Sequence, residues 1–145
     1  MNNEITKELH KINCLMADID AAYHQASVKL GVSDSVLFIF YMLYVNNGSC
    51  SLNEIYKLSG ISKQTVNSAV RKLENENLIY LENLDGKSKK VRATESGRSH
   101  IYEVAQKLHN AEVKTFSEWS SEEIRQFIDA LEKYNALFKK NIQQL

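Results

Sequence analysis

Apolar residues recur along the chain in two rhythms, and the rhythms separate its ends from its middle. Near the N-terminus Ile5, Leu9, Ile12, Met16, Ile19, Tyr23, Ala26 and Leu30 are spaced alternately four and three apart. A mean period of about 3.5 makes a narrow seam along one long helix, the pattern of a helix that packs on a partner helix. The other end repeats the theme with Ile101, Val104, Leu108 and Ala111, then Ile124, Phe127, Ile128, Leu131, Tyr134, Phe138, Ile142 and Leu145. Between these ends, the stretch from Val36 to Val45 is apolar all round and predicts a buried central helix. The pattern places helices near residues 4–30, 34–46, 52–59, 63–76, 95–116 and 121–143. Two short strand-like runs, Leu78 to Asn83 and Lys89 to Thr94, form a hairpin that is the only extended element of any size.

The helix starts carry a repeated signature, a serine cap preceded by an apolar residue that can staple onto the fourth helical position. Val32 and Leu37 flank Ser33, Cys50 and Ile55 flank Ser51, Ile61 and Val66 flank Ser62, and Trp119 and Ile124 flank Ser120. Glu54 and Glu123 complete capping boxes with Ser51 and Ser120. Gly31, Gly48 and Gly60 follow helix ends, and Gly86 sits in the hairpin turn.

Composition agrees with a mainly α fold. The chain has 145 residues, 43% of them hydrophobic, with no proline and five glycines. Helix interiors are thus unbroken, and there is apolar surface enough to form a core, which excludes a disordered or collagen-like chain. No stretch approaches the roughly 18 consecutive apolar residues of a membrane span. Residues 1–10 carry Glu4 and Glu8 where a signal peptide is basic and then apolar, so a cytoplasmic protein without membrane contact is expected. Cys14 and Cys50 form no disulfide framework and lack metal-ligand spacing.

The net charge is zero, but the charges are segregated. Residues 57–98 hold nine bases against five acids, whereas residues 1–56 and 99–145 are mildly acidic. A basic module inside an acidic frame points to nucleic acid. Residues 52–76 read as two helices joined by Leu58-Ser59-Gly60-Ile61-Ser62, a turn with the length and glycine of a helix-turn-helix. In the second helix Val66, Ala69, Val70 and Leu73 recur at core spacing. Gln64, Asn67, Ser68 and Arg71 form an acid-free stripe opposite them. Planar amides and a guanidinium can pair two-point with base edges in a major groove, where carboxylates would be repelled. The hairpin turn brings Lys87, Lys89, Lys90 and Arg92 against Asp85, a basic projection that can reach phosphates, although lysine also protects exposed strand edges from aggregation.

In this order the residues resemble the winged-helix regulators of the MarR family of bacteria and archaea. The local matches are Leu52-Asn53-Glu54-Ile55 into Leu58-Ser59-Gly60-Ile61-Ser62, Val70-Arg71-Lys72-Leu73-Glu74 into Asn77-Leu78-Ile79, Asp85-Gly86-Lys87, and Thr94-Glu95-Ser96-Gly97. The resemblance implies a mainly α (α+β) fold with a winged helix-turn-helix at 33–97. Long terminal helices, 1–32 and 98–145, would form a dimerisation region. It further implies a homodimer on a pseudo-palindromic, double-stranded DNA operator, and repression relieved by a small molecule, oxidation or a metal. Carried over by position, the reading helix would contribute Ser62, Lys63, Gln64, Thr65, Asn67, Ser68 and Arg71, and the wing Lys87, Lys89 and Lys90. The wing departs from the family pattern: Lys87 stands for an arginine, Ala93 for a leucine, and Ile79-Tyr80-Leu81-Glu82 lacks the usual base. A lysine is a point charge without the guanidinium fork, which shifts the wing from groove reading towards phosphate attraction.

Effector candidates are Tyr23, His24 and Tyr41 for a small organic molecule and Cys14, in a stripe with His10 and Asp18, for oxidation. Asp18 one turn on opposes a thiolate, so no peroxide response is expected of Cys14. His100 and His109 point to opposite sides of their helix, and no metal or other cofactor is expected. No phosphate loop, nucleophile elbow or zinc-hydrolase motif argues for an enzyme. The rival to a DNA reader is a winged-helix module that binds protein through the same face.

Overall fold

The computed structural model describes residues 3–145. The elements run α1 (Asn3–Leu30), α2 (Asp34–Val45), β1 (Ser49–Ser51), α3 (Leu52–Ser59), α4 (Lys63–Asn75), β2 (Ile79–Asn83), β3 (Lys89–Ala93), α5 (Glu95–Ser117) and α6 (Ser121–Ile142). The chain forms two compact units, residues 1–108 and 109–145, with α5 running from one into the other.

Serine caps fix the helix starts as their spacing predicts. The side chains of Ser33, Ser62 and Ser120 accept from the backbone N–H groups of Val36, Thr65 and Glu123. Glu123 returns the favour by accepting from the Ser120 N–H at 2.7 Å, and Glu54 accepts from that of Ser51 at 3.3 Å. These bonds satisfy amide donors that the first helical turn leaves without intrahelical partners. At the other end of α2 and α4, Asn47 and Asn77 adopt left-handed φ values of 56° and 57°. Each closes its helix with a bond from the following N–H to a carbonyl five residues back, Gly48 to Leu43 and Leu78 to Leu73.

In the first unit α2 is the centre, as its uniform apolarity predicts. Ile39, Phe40 and Leu43 are fully buried, surrounded by Ile55 of α3, Val66, Val70 and Leu73 of α4, Ile79 and Val91 of the sheet, and Ile101, Val104 and Ala105 of α5. Burying each such side chain contributes about 1.5–3 kcal/mol, which is what holds the small sheet to the helices.

The sheet holds a strand the sequence pattern missed. β1 pairs antiparallel with β3, Cys50 opposite Val91, and the strand order is β1-β3-β2. Three residues are too few to show alternation, and Ser51 doubles as the cap of α3. β2 and β3 form the expected hairpin, with Leu81 opposite Val91 and Glu82 opposite Lys90. Gly97 lets α5 start against this sheet: a Cβ there would lie 2.5 Å from the carbonyl oxygen of Leu78 and 2.7 Å from its Cα. Thr94 ties the same corner, accepting from the Gly97 N–H at 2.8 Å and donating to the Asn77 carbonyl at 2.7 Å.

The second unit is a helical hairpin. Phe116, Trp119 and Phe127 cluster around its turn with ring centroids 5.3–6.2 Å apart, and Tyr134 stacks on Phe138 at 5.4 Å. Among the described residues no single helix is long and apolar enough to cross a membrane.

Candidate nucleic-acid interface

Helix α4 is held by one face and shows the other. Val66, Ala69, Val70 and Leu73 are buried, whereas Lys63, Gln64, Thr65, Ser68 and Arg71 are exposed and Asn67 is half-buried. The turn that presents α4 is closed locally. Gly60 takes a left-handed φ of 65°, which spares the strain of a side chain, and Ser59 Oγ accepts from the Ile61 N–H while reaching back to the Tyr56 carbonyl.

The predicted contact residues divide into those that serve the helix and those that face outwards. Ser62 caps α4, and its hydroxyl lies 2.8 Å from that of Thr65. Ser68 donates to the Gln64 carbonyl at 3.0 Å. Gln64 and Arg71 extend from the same exposed surface and retain the polar groups a base edge requires. Asn67 does not stand open as the stripe suggested, because the Tyr56 hydroxyl of α3 donates to its side-chain oxygen. The Tyr56 ring also receives Lys63, whose Nζ lies 5.3 Å from the ring centroid. Tyr56 is thus a residue of this surface that the pattern did not reveal; it lies in the first helix of the helix-turn-helix.

The wing is built by Asp85. Its carboxylate accepts from the backbone N–H groups of Ser88 at 2.8 Å and Lys87 at 3.2 Å. Those two bonds, Ser88 first, hold its carboxyl below the ordinary 3.8. Glu82 pairs with Arg92 across the strands, so the acid on β2 balances the arginine on β3. Lys87 and Lys89 remain exposed and Lys90 half-buried. The unbalanced positive charge of the wing therefore resides in the three predicted lysines.

The proposed effector residues do not converge in the same way. His24 on α1 is paired with Asp34, the first residue of α2, at 2.9 Å, and its hydrogen bond is the main cause that holds the Asp34 carboxyl below 3.8. Tyr23 is exposed and Tyr41 half-buried. Cys14 is exposed with its Sγ 3.7 Å from His10 Nε2, while burial pushes the Cys50 thiol up to about 12. Among the described residues no group of three His, Cys, Asp or Glu side chains is placed to hold a metal ion.

Comparison with known proteins bears on this arrangement. The model of the MarR family matches residues 30–88, which span the central helix, the helix-turn-helix and the wing turn. This part of the chain is similar to the MarR family. The members of this family are transcriptional regulators, not enzymes. Its fold is similar to a MarR family regulator from Neisseria meningitidis, with a TM-score of 0.84 at 16% identity over 94% of this chain and 97% of that one. It is also similar to S. aureus MepR in its DNA-binding conformation, with a TM-score of 0.73 at 20% identity over 90% and 98%. A MarR family protein from Listeria monocytogenes complexed with 26mer DNA gives 0.68 at 18% identity over 92% and 89%. No curated protein matches by sequence.

Proposed function

We propose that this chain is a MarR family regulator, a homodimeric, cytoplasmic repressor that reads a pseudo-palindromic DNA operator with α4 and grips phosphates with its wing. The observation that carries the proposal is the exposed, acid-free face of α4 from Gln64 to Arg71 beside a wing that presents Lys87, Lys89 and Lys90. In this reading Gln64, Asn67 and Arg71 meet base edges, and the capping serine and Lys63 meet the backbone near the helix N-terminus.

Residues 33–97 form the DNA-binding part, and 1–32 with 98–145 the dimerisation part. Support for a second copy comes from apolar seams left uncovered in the single chain. Ile5, Leu9, Ile12, Met16 and Ile19 of α1 are exposed, as are Ile128, Leu131, Leu137, Phe138 and Ile142 of α6. Contiguous apolar surface on this scale marks an interaction site, and two half-sites on DNA require a two-fold protein. In this reading a small organic effector would release the operator, with Tyr23, His24 and Tyr41, where α1 gives way to α2, as its candidate contacts although they do not converge on one site.

The test is a binding assay that compares a selected duplex with a random one. Arg71→Ala and Gln64→Ala each remove about 1–3 kcal/mol of discrimination. Lys87→Ala, Lys89→Ala and Lys90→Ala weaken both duplexes alike. Identical behaviour of all five variants would contradict the division between reader and anchor.

A further inference from the structure

The bond between Tyr56 and Asn67 changes what the reading helix can read. A free asparagine presents one acceptor and one donor side by side, the pair that matches the N6 and N7 of adenine. Here the side-chain oxygen of Asn67 accepts from the Tyr56 hydroxyl, which takes one of its two lone pairs and competes with a base for the acceptor, whereas the amide nitrogen keeps both N–H donors. Lys63 and Arg71 lie one helical turn to either side of Asn67 on the same face, and neither side chain has an acceptor. The row Lys63, Asn67, Arg71 therefore offers mostly donors, its one acceptor already engaged by Tyr56. Of the four bases, guanine alone shows two adjacent acceptors, O6 and N7, in the major groove, whereas adenine places a donor beside N7.

Resting on the DNA-reading function above, we propose that Tyr56 is a specificity-determining residue: by engaging the Asn67 carbonyl it biases Asn67 towards guanine over adenine. Tyr56 acts through Asn67 as a positioning residue. Its place is secured on both sides, by Lys63 over the ring and by the Ser59 turn at its carbonyl. Loss of the hydroxyl frees the carbonyl of Asn67 without removing the ring on which Lys63 rests.

The experiment selects binders from a random-sequence duplex library with three full-length proteins: the unmodified chain, Asn67→Ala and Tyr56→Phe. Asn67→Ala identifies the base position read by Asn67 as the one whose preference collapses. The unmodified chain should prefer guanine there, and Tyr56→Phe should shift the adenine-to-guanine ratio at that position on the order of tenfold towards adenine. A residue that merely supported the fold would lower affinity for all duplexes and leave the preference intact. Adenine preferred by the unmodified chain at that position overturns the inference, whether or not Tyr56→Phe folds. It also fails if Asn67→Ala changes no position, or if folded Tyr56→Phe keeps the unmodified profile. Failure of the unmodified chain to enrich any duplex is a distinct result, which sinks the DNA-reading function and this inference with it.

Discussion

Helices α2 and α6 are both rich in large apolar residues, yet they meet opposite fates. Ile39, Phe40 and Leu43 of α2 are fully covered by the surrounding helices and sheet, whereas no residue of α6 is buried. The difference lies in the pattern. An apolar circumference can be satisfied only inside a core, but an apolar stripe on an otherwise charged helix suits a removable partner. The winged helix is therefore complete within one chain, and in our reading the terminal helices are completed by a second.

Substitutions in the two regions should break different things. Leu43→Ala leaves a cavity in the centre of the first unit and should cost about 2–5 kcal/mol in a denaturant titration, at any protein concentration. Met16→Asp together with Ile19→Asp should instead halve the mass in sedimentation while the circular dichroism of the winged helix persists. A folded monomer formed by the unmodified chain at micromolar concentration would contradict this half of the comparison.

Smaller effects sharpen the contrast. Ser120→Ala removes the cap of α6 and should cost about 1 kcal/mol of helix stability, seen as faster amide exchange in its first turn. The effect on the wing is smaller still. Because the Asp85 carboxyl is held below 3.8, its support of the wing turn is present above that pH and lost as the pH falls through the lowered value. The amide signals of Ser88 and Lys87 should titrate together below 3.8, and Asp85→Asn should weaken that response.

Most of the fold is legible in the sequence because its boundaries are chemical. Ser33, Ser62 and Ser120 mark helix starts within a residue or two, and the apolar run of α2 announces the core. Strand β1 was not legible, since its partner Val91 lies some forty residues away and three residues show no rhythm. The candidate site was legible as a list of residue types but not as a set of free groups. That Asn67 is engaged, and that Arg92 is balanced by Glu82, depend on how α3 meets α4 and how β2 registers with β3. Such cross-element pairings leave no local spacing to read. Tyr56 went unnoticed for the same reason, its role arising only where two short helices cross.

The central claim, that the acid-free face of α4 and the wing lysines bind DNA, is tested most directly by the salt dependence of duplex binding. Each neutralised phosphate contributes a slope of roughly −0.9 to log affinity against log salt, so the account predicts a steep decline that becomes shallower when Lys87, Lys89 and Lys90 are replaced by alanine. Duplex affinity that is absent, or that does not change with salt, would contradict it and favour a winged helix that binds protein through this face.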